Sequence, residues 1–579
     1  MTGLADETTL RTLHILAVSF GIAFALGVVA LLFPRAAQTL FDRVERTLAS
    51  LSERRTLAIV ALFLAVIAIR LLALPFLHVP VPGIHDEFSY LLLSDTFAHG
   101  RLTNPTHPMW ISFETFHVNW FPTYSSMYPP AQGAALAVGQ ILGNPWIGVL
   151  LSDAAMCAAI LWMLQAWLPS RWALLGAAIV ALKLGVASYW MNSYWGGAVA
   201  AIGGALVLGA AARIVKRARI RDALLLGLGI AILANSRPYE GSLFCVPVAV
   251  WLLWWLIGRT KSKDVLRVRL TKDVLRVRLT KVVIPLVTVV VLTAVWMGYY
   301  NWRLTGNVLL MPHVLNTRTY HTAPLFLWEQ PKSEMHYRNQ QFEDFYNGWE
   351  RENYQQTRAD IFRVSWEKLF RGGVTYFWPG LLLALPALPF VLRDRKMRLP
   401  WIIAVIGVAS VFIVIWSNAH YAAPITCVLY LLVAKTIRHL RTMRIGTRPI
   451  GLALSRAIVL SLFVGTGIHV VCHVCDPLCW TCQGDPSRAA IANKLKQTPG
   501  KHLIIVRYAE DHNIHDEWVF NGAEIDDAKV LWAREINPEQ DAKLLTYFKD
   551  RKIWLVTPDT DNTYLEPYTP PGAPLVPEP

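Results

Sequence analysis

Charge is what this sequence has least of: 16% of its residues are Asp, Glu, Lys or Arg, against roughly 25% in ordinary globular proteins. Cysteine is rarer still, seven in 579 residues, which excludes a disulfide-framed secreted scaffold. A hydrophobic content of 54% excludes a disordered chain, and no low-complexity run marks a fibrous one. The sequence also lacks a Gly-rich phosphate-binding loop and any symmetry between its halves. What is present is apolar length. The mean hydropathy is +0.37 and 23 residues are Trp, so the composition is that of a polytopic membrane protein.

Apolar runs of membrane-crossing length fall at 13–33, 56–77, 146–168, 172–190, 196–215, 222–236, 238–257, 282–302, 373–392, 400–417, 421–435 and 452–471. They predict about twelve spans. The run at 13–33 has no small-residue cleavage site and reads as an anchor, not a removed signal. The stretch 131–143 is too short to cross and reads as an interfacial helix.

The net charge of +15 is unevenly spread. Loops 34–55, 213–221, 259–281, 393–398 and 435–448 hold 28 of the 55 Lys and Arg with six acids, a net +22 that leaves −7 for the remainder. The positive-inside rule places all five loops in the cytoplasm. The charge therefore records orientation and does not imply a nucleic-acid partner. Counting spans then puts the N-terminus, the loop 83–131, the segment 303–372 and the tail 472–579 outside. In loop 259–281 the repeat Asp264–Lys272 returns as Asp273–Lys281. It reads as a duplication in a tolerant loop, or as a patch for anionic lipid head groups.

In the tail, 502–508, 529–533 and 553–557 read as strands and 538–549 as a helix, giving a small α/β domain. The end from Pro567 to Pro579 is Pro-rich and reads as unstructured. The organisation is thus 1–55 anchor and inner loop, 56–471 membrane domain, 472–499 Cys-rich linker and 500–579 outer domain.

Gly83-Ile84-His85-Asp86-Glu87 follows the second span. Two adjacent acids there suit proton abstraction, and equally suit a helix N-terminus. Their loop carries ten aromatics and closes on Tyr128-Pro129-Pro130. An Asp-Glu pair in the first outer loop, then a Pro-Pro turn into an apolar helix ending Gly143-Asn144-Pro145-Trp146, resembles the GT-C membrane glycosyltransferases. The likeness covers roughly 56–435 and is strongest to glycosyltransferase family 39 and its relatives, which include protein O-mannosyltransferases and lipid A aminoarabinose transferases. The resemblance implies Asp86 as general base, with Glu87 beside it, and a sugar on a polyprenyl phosphate as donor. Many relatives carry Lys before the Pro-Pro pair; Tyr128 stands there in this chain.

A lipid-phosphate donor calls for a cation at the outer surface. Arg237, in the stretch Asn235-Ser236-Arg237-Pro238-Tyr239-Glu240, sits between two spans and suits phosphate oxygens; it also reads as a snorkelling Arg paired with Glu240. Tyr239 and Glu240 join it as binding candidates. His420 and Tyr421, at the next outer turn, match a basic-aromatic-Pro pattern in the relatives. Asp153 lies within a span, suited to binding an acceptor or a metal, or to bonding a neighbouring helix. Tyr189–Gly197 turns at the outer face, its aromatics reading as interfacial belt and Asn192 as a substrate contact. Cys472, Cys475, Cys479 and Cys482 form two close CxxC pairs; disulfides, a zinc site and no special role are the three readings.

The expectation is therefore a polytopic α-helical, GT-C-like protein of a bacterial inner membrane, with both termini and a small α/β domain in the periplasm. It would move a sugar from a polyprenyl-phosphate donor to a protein, lipid or glycan acceptor and invert the anomeric centre. No cofactor is assigned, and members of the family differ in their need for a divalent metal ion. A transporter or flippase of lipid-linked sugars is the alternative, and an outer-face scaffold a third.

Overall fold

The computed structural model describes residues 2–258, 272–472, 484–560 and 565–569. Among them eight helices are long and apolar enough to cross a membrane: Leu13–Leu32, Arg55–Leu72, Pro145–Trp167, Ala198–Lys216, Pro238–Ile257, Lys272–Thr305, Ala419–Leu440 and Ile450–Val471. A ninth candidate is the pair Ile361–Tyr376 and Pro379–Leu392, bent by 97° at its break. Side chains such as Leu72, Trp254 and Val295 are exposed along these helices, as lipid-facing residues are. The protein is a multi-pass membrane protein.

Four expected spans form shorter helices. The run 172–190 is helical only over Ser170–Lys183, 222–236 over Ile220–Ala234, and 400–417 over Arg398–Ser410. At 1.5 Å per residue each covers roughly 20 Å, short of the ~30 Å hydrocarbon core. The run 373–392 is broken because Pro379, Pro386 and Pro389 withdraw backbone donors. The stretch 131–143 forms the 12-residue helix Pro130–Ile141.

The main core lies where Pro145–Trp167, Ala198–Lys216 and Thr426–Leu440 pack together. Small residues let them approach: a Cβ on Gly204 would stand 2.1 Å from the Pro424 carbonyl, and one on Gly209 2.4 Å from the Trp162 ring. The inner loop 34–55 folds into the helix Gln38–Glu53. Glu45 of this helix takes a forked pair of bonds from Arg441 (3.0 and 2.6 Å), and Asp42 and Glu45 both accept from Arg456. Lys435 pairs with Asp394 at 2.8 Å, so basic loops expected on one side of the membrane do meet.

The tail holds a four-stranded sheet ordered Val530–Arg534, His502–Val506, Lys552–Val556, Leu565–Pro567. The first three strands are parallel and the last is an antiparallel edge. His502–Val506 is buried throughout, which suits a central parallel strand. The helix Pro538–Tyr547 falls where the sequence placed it. The sheet does not stand alone. Leu503, Leu531 and Phe548 share one apolar core with Leu92, Phe113 and Trp120 of the first outer loop. Arg101 pairs with Glu524 at 2.5 Å, and Asp95 accepts from the Ala523 amide at 2.7 Å. Gly484, with φ +62°, approaches Val81 so closely that a Cβ would lie 2.0 Å from its carbonyl.

Cys475, Cys479 and Cys482, and with them the disulfide and zinc readings, lie outside the described residues; Cys472 caps the helix Ile450–Val471. The first copy of the tandem repeat also lies outside them save Lys272, and the second forms Lys272–Arg278 and the turn after it.

Candidate active site

The helix His85–Ala98 begins with the two acids, and their side chains diverge. Glu87 is fully buried. Its Oε2 accepts from the amides of Gly83 (2.9 Å) and Ile84 (3.4 Å), closing the helix N-terminus, and its Oε1 accepts from the Tyr194 amide at 2.9 Å. Burial raises its pKa to about 7, against the pull of those amides. Glu87 thus closes the start of its own helix, while Asp86 is the one of the pair that lines the cavity.

Asp86 opens onto a cavity of about 690 Å³. Its Oδ1 accepts a hydrogen bond from the Tyr128 hydroxyl. His117 Nδ1 lies 3.2 Å from that hydroxyl and 3.8 Å from Asp86 Oδ2. His117 has φ 60°, a left-handed backbone uncommon for a residue with a side chain. It is held there by Ser89 Oγ and the Met127 amide, both donating to its carbonyl. Strain of this kind persists where the surrounding structure fixes a side chain in place. Burial also lowers the His117 pKa, with Asp86 opposing the shift. The result is an acid, a phenol and an imidazole within one hydrogen-bonding network.

One wall of the cavity comes from turns between spans. Arg237 lies over the Tyr421 ring, 4.2 Å from its centroid, in a cation–π contact, and its guanidinium also bonds the Tyr421 side chain. Tyr239 and Glu240 line the same wall. Tyr90 stacks on Tyr128 at 4.3 Å and sets the latter's angle. Lys at position 128 is therefore not needed to bring a cation to this region, since Arg237 already does.

The facing wall comes from the outer segment and the tail. His321, Trp349, Glu350 and Asn353 line it together with Arg363, Lys368 and Arg371, and with Asn513 and His515 from the C-terminal region. His85 Nε2 lies 2.9 Å from the Ile514 carbonyl, which ties that tail segment to the acidic helix. None of these residues sits in a motif of fixed spacing. The sequence signalled them only by placing large segments on the outer side.

Three expected site residues are not among those that line the cavity. Asn192 accepts from Arg70 at 2.9 Å and donates to the carbonyls of Val186 and Ser188, so it braces its own turn. His420 is buried and exchanges bonds with Tyr189, whose hydroxyl lies 2.9 Å from its Nδ1 and accepts from its backbone amide. Asp153 is fully buried within its span; Arg70 is the charge that acts on it, and neither of its carboxylate oxygens has a hydrogen-bond partner among the described residues. Asn192 and His420 are thus engaged by neighbouring side chains and backbone in this structure. Among the described residues no group of three His, Cys, Asp or Glu side chains is placed to hold a metal ion. A second cavity, of about 700 Å³, is lined by apolar side chains such as Phe377, Leu381, Trp401 and Phe412, with no acid or base.

No protein-family model matches the chain, and no curated protein does. Among solved structures it is similar to ArnT from Cupriavidus metallidurans in the apo state, at 14% identity and a TM-score of 0.46 over 86% of this chain and 93% of that one. ArnT bound to undecaprenyl phosphate matches at 14% and 0.45 over the same shares. The Archaeoglobus fulgidus oligosaccharyltransferase tethered with an acceptor peptide matches at 11% and 0.45, over 83% of this chain and 64% of that one. This chain spans less than two thirds of that last protein's length.

Proposed function

We propose that this protein is an integral membrane glycosyltransferase that moves a sugar from a polyprenyl-phosphate donor to an acceptor at the periplasmic face of a bacterial inner membrane. The observation that carries the reading is the convergence of Asp86, with Tyr128 and His117 beside it, and Arg237 on one cavity. An acid and a cation facing one space are what displacement at a sugar-phosphate carbon requires.

In this reading the acceptor hydroxyl donates to Asp86. As its oxygen attacks the anomeric carbon, the proton passes to the carboxylate. The bond from that carbon to the phosphate oxygen breaks with its electron pair, and the lipid phosphate leaves with one more negative charge. Arg237 meets that charge, a preorganised cation where charge develops. Attack opposite the leaving group inverts the anomeric centre. Tyr128 holds the carboxylate in line through its hydroxyl. The apolar second cavity suits the polyprenyl chain, which carries no polar group to pair.

The test is sugar transfer from a panel of radiolabelled polyprenyl-phosphate sugars by the wild type, Asp86→Asn and Arg237→Ala. Transfer by the wild type alone is expected. Equal transfer by all three would remove the site assignment.

A further inference from the structure

The mechanism above leaves one buried pair in the cavity unused. His321 Nδ1 lies 2.5 Å from Glu350 Oε1, and both residues line the cavity that Arg237 lines. Glu350 is 1% exposed. A carboxylate only accepts, so with the imidazole neutral its proton sits on Nδ1 and Nε2 presents a lone pair. His321 Nε2 and Glu350 Oε2 are buried without a hydrogen-bond partner among the described residues. The nearby Lys332 ammonium does not serve them; it bonds the carbonyls of Thr317, Arg318 and His321. Burying acceptors unpaired disfavours folding, so their retention on a cavity wall points to a partner from outside.

The chemistry of that partner follows from what the wall offers. Two acceptors side by side repel an anion and call for two donors. Beside them Trp349 lines the same cavity, stacked on Trp416 at 4.8 Å and held edge-on by His515 at 4.6 Å. A fixed aromatic face next to paired acceptors suits a pyranose ring, which has an apolar face and vicinal hydroxyl donors. We propose that this wall is the acceptor subsite and that the acceptor presents a sugar ring, its neighbouring hydroxyls bonded to His321 and Glu350 and its face on Trp349. The assignment of this ring as acceptor rests on the glycosyltransferase reading given above.

The test measures binding of free methyl hexosides to the full-length protein in lipid nanodiscs by saturation-transfer NMR, with ethanolamine as the amine control. Hexosides are expected to bind the wild type, with affinity lowered about tenfold in both His321→Ala and Glu350→Gln, the range for bonds to charged or buried acceptors. Trp349→Phe, which keeps an aromatic in the core, is expected to weaken saturation of the ring protons while the dyad variants' effect persists. Unchanged hexoside affinity in both dyad variants, or binding of ethanolamine in place of hexosides, would overturn the proposal. Donor cleavage by the wild type without hexoside binding would remove this subsite alone. Hexoside binding without donor cleavage would remove the donor reading and leave the sugar subsite standing.

Discussion

The two walls of the cavity differ in origin. The membrane-side wall is built from short turns, 236–240 and 418–421, and offers the Arg237 guanidinium over a tyrosine ring with the Glu240 carboxylate beside it. The other wall is assembled from the segment 303–372 and the tail; it offers the His321–Glu350 pair and the Trp349 indole, and Arg363, Lys368 and Arg371 of the same segment line the cavity as well. Neither wall carries charge of one sign, so what separates them is the local grouping: a guanidinium on a tyrosine ring against an imidazole–carboxylate pair beside an indole. In the proposed reading the first takes the departing phosphate and the second the hydroxyl-bearing nucleophile.

The largest effect is expected at the point where the walls meet. Asp86→Asn keeps the shape and still accepts from Tyr128, yet takes no proton. Transfer in a single turnover should fall about 10²- to 10⁴-fold, the range for a general base, while donor affinity holds. An equal loss of donor affinity would show that the walls do not divide the substrates. Next comes Arg237→Ala. Losing a charge-assisted bond to the leaving phosphate should cost about 10- to 100-fold in transfer, with acceptor KM unchanged. Arg237→Lys should recover only part, because an ammonium lacks the fork.

Glu87 sharpens the contrast with its neighbour, because its expected effect is on stability. Its pKa in the folded protein, about 7, lies above the ~4.3 of an exposed glutamate. The folded state therefore binds this proton more tightly, and the contribution is fully present below about pH 4 and lost as pH rises through 7. Thermal midpoints of the wild type should fall from pH 5 to pH 8 more steeply than those of Glu87→Gln. Parallel pH profiles would remove the assignment of the titration to Glu87.

The legible parts of the fold and site share a physical character. Spans declare themselves by length and apolarity, and the strands of the tail by short apolar runs, so both were readable along the chain. Asp86 and Arg237 stand at span boundaries, where an ionisable residue is conspicuous, and both line the cavity. His321, Glu350 and His515 were not legible, because they lie in polar segments where such residues are ordinary. Only packing of the tail sheet on the first outer loop brings His515, more than 400 residues from Asp86, to the same space. Length misled where proline or a turn cut a run short, as in 373–392 and 172–190. His420, a basic residue at the next turn, is buried, with its Nδ1 facing the Tyr189 hydroxyl.

His420 gives the smallest expected effect, and the finest test of where the membrane-side wall ends. It adjoins Tyr421, which lines the cavity, yet its ring is buried against Trp195 at 4.6 Å and its Nδ1 faces the Tyr189 hydroxyl. In His420→Asn the amide oxygen takes over the acceptor role of Nδ1. If His420 serves packing alone, kcat and both KM values should stay within about threefold, with a stability loss of about 1 kcal/mol for an imperfect hydrogen bond. A rise in donor KM comparable to that of Arg237→Ala, with the thermal midpoint preserved, would instead extend the phosphate-facing wall by one residue. The KM split separates the two, since a packing defect lowers the folded fraction without changing KM.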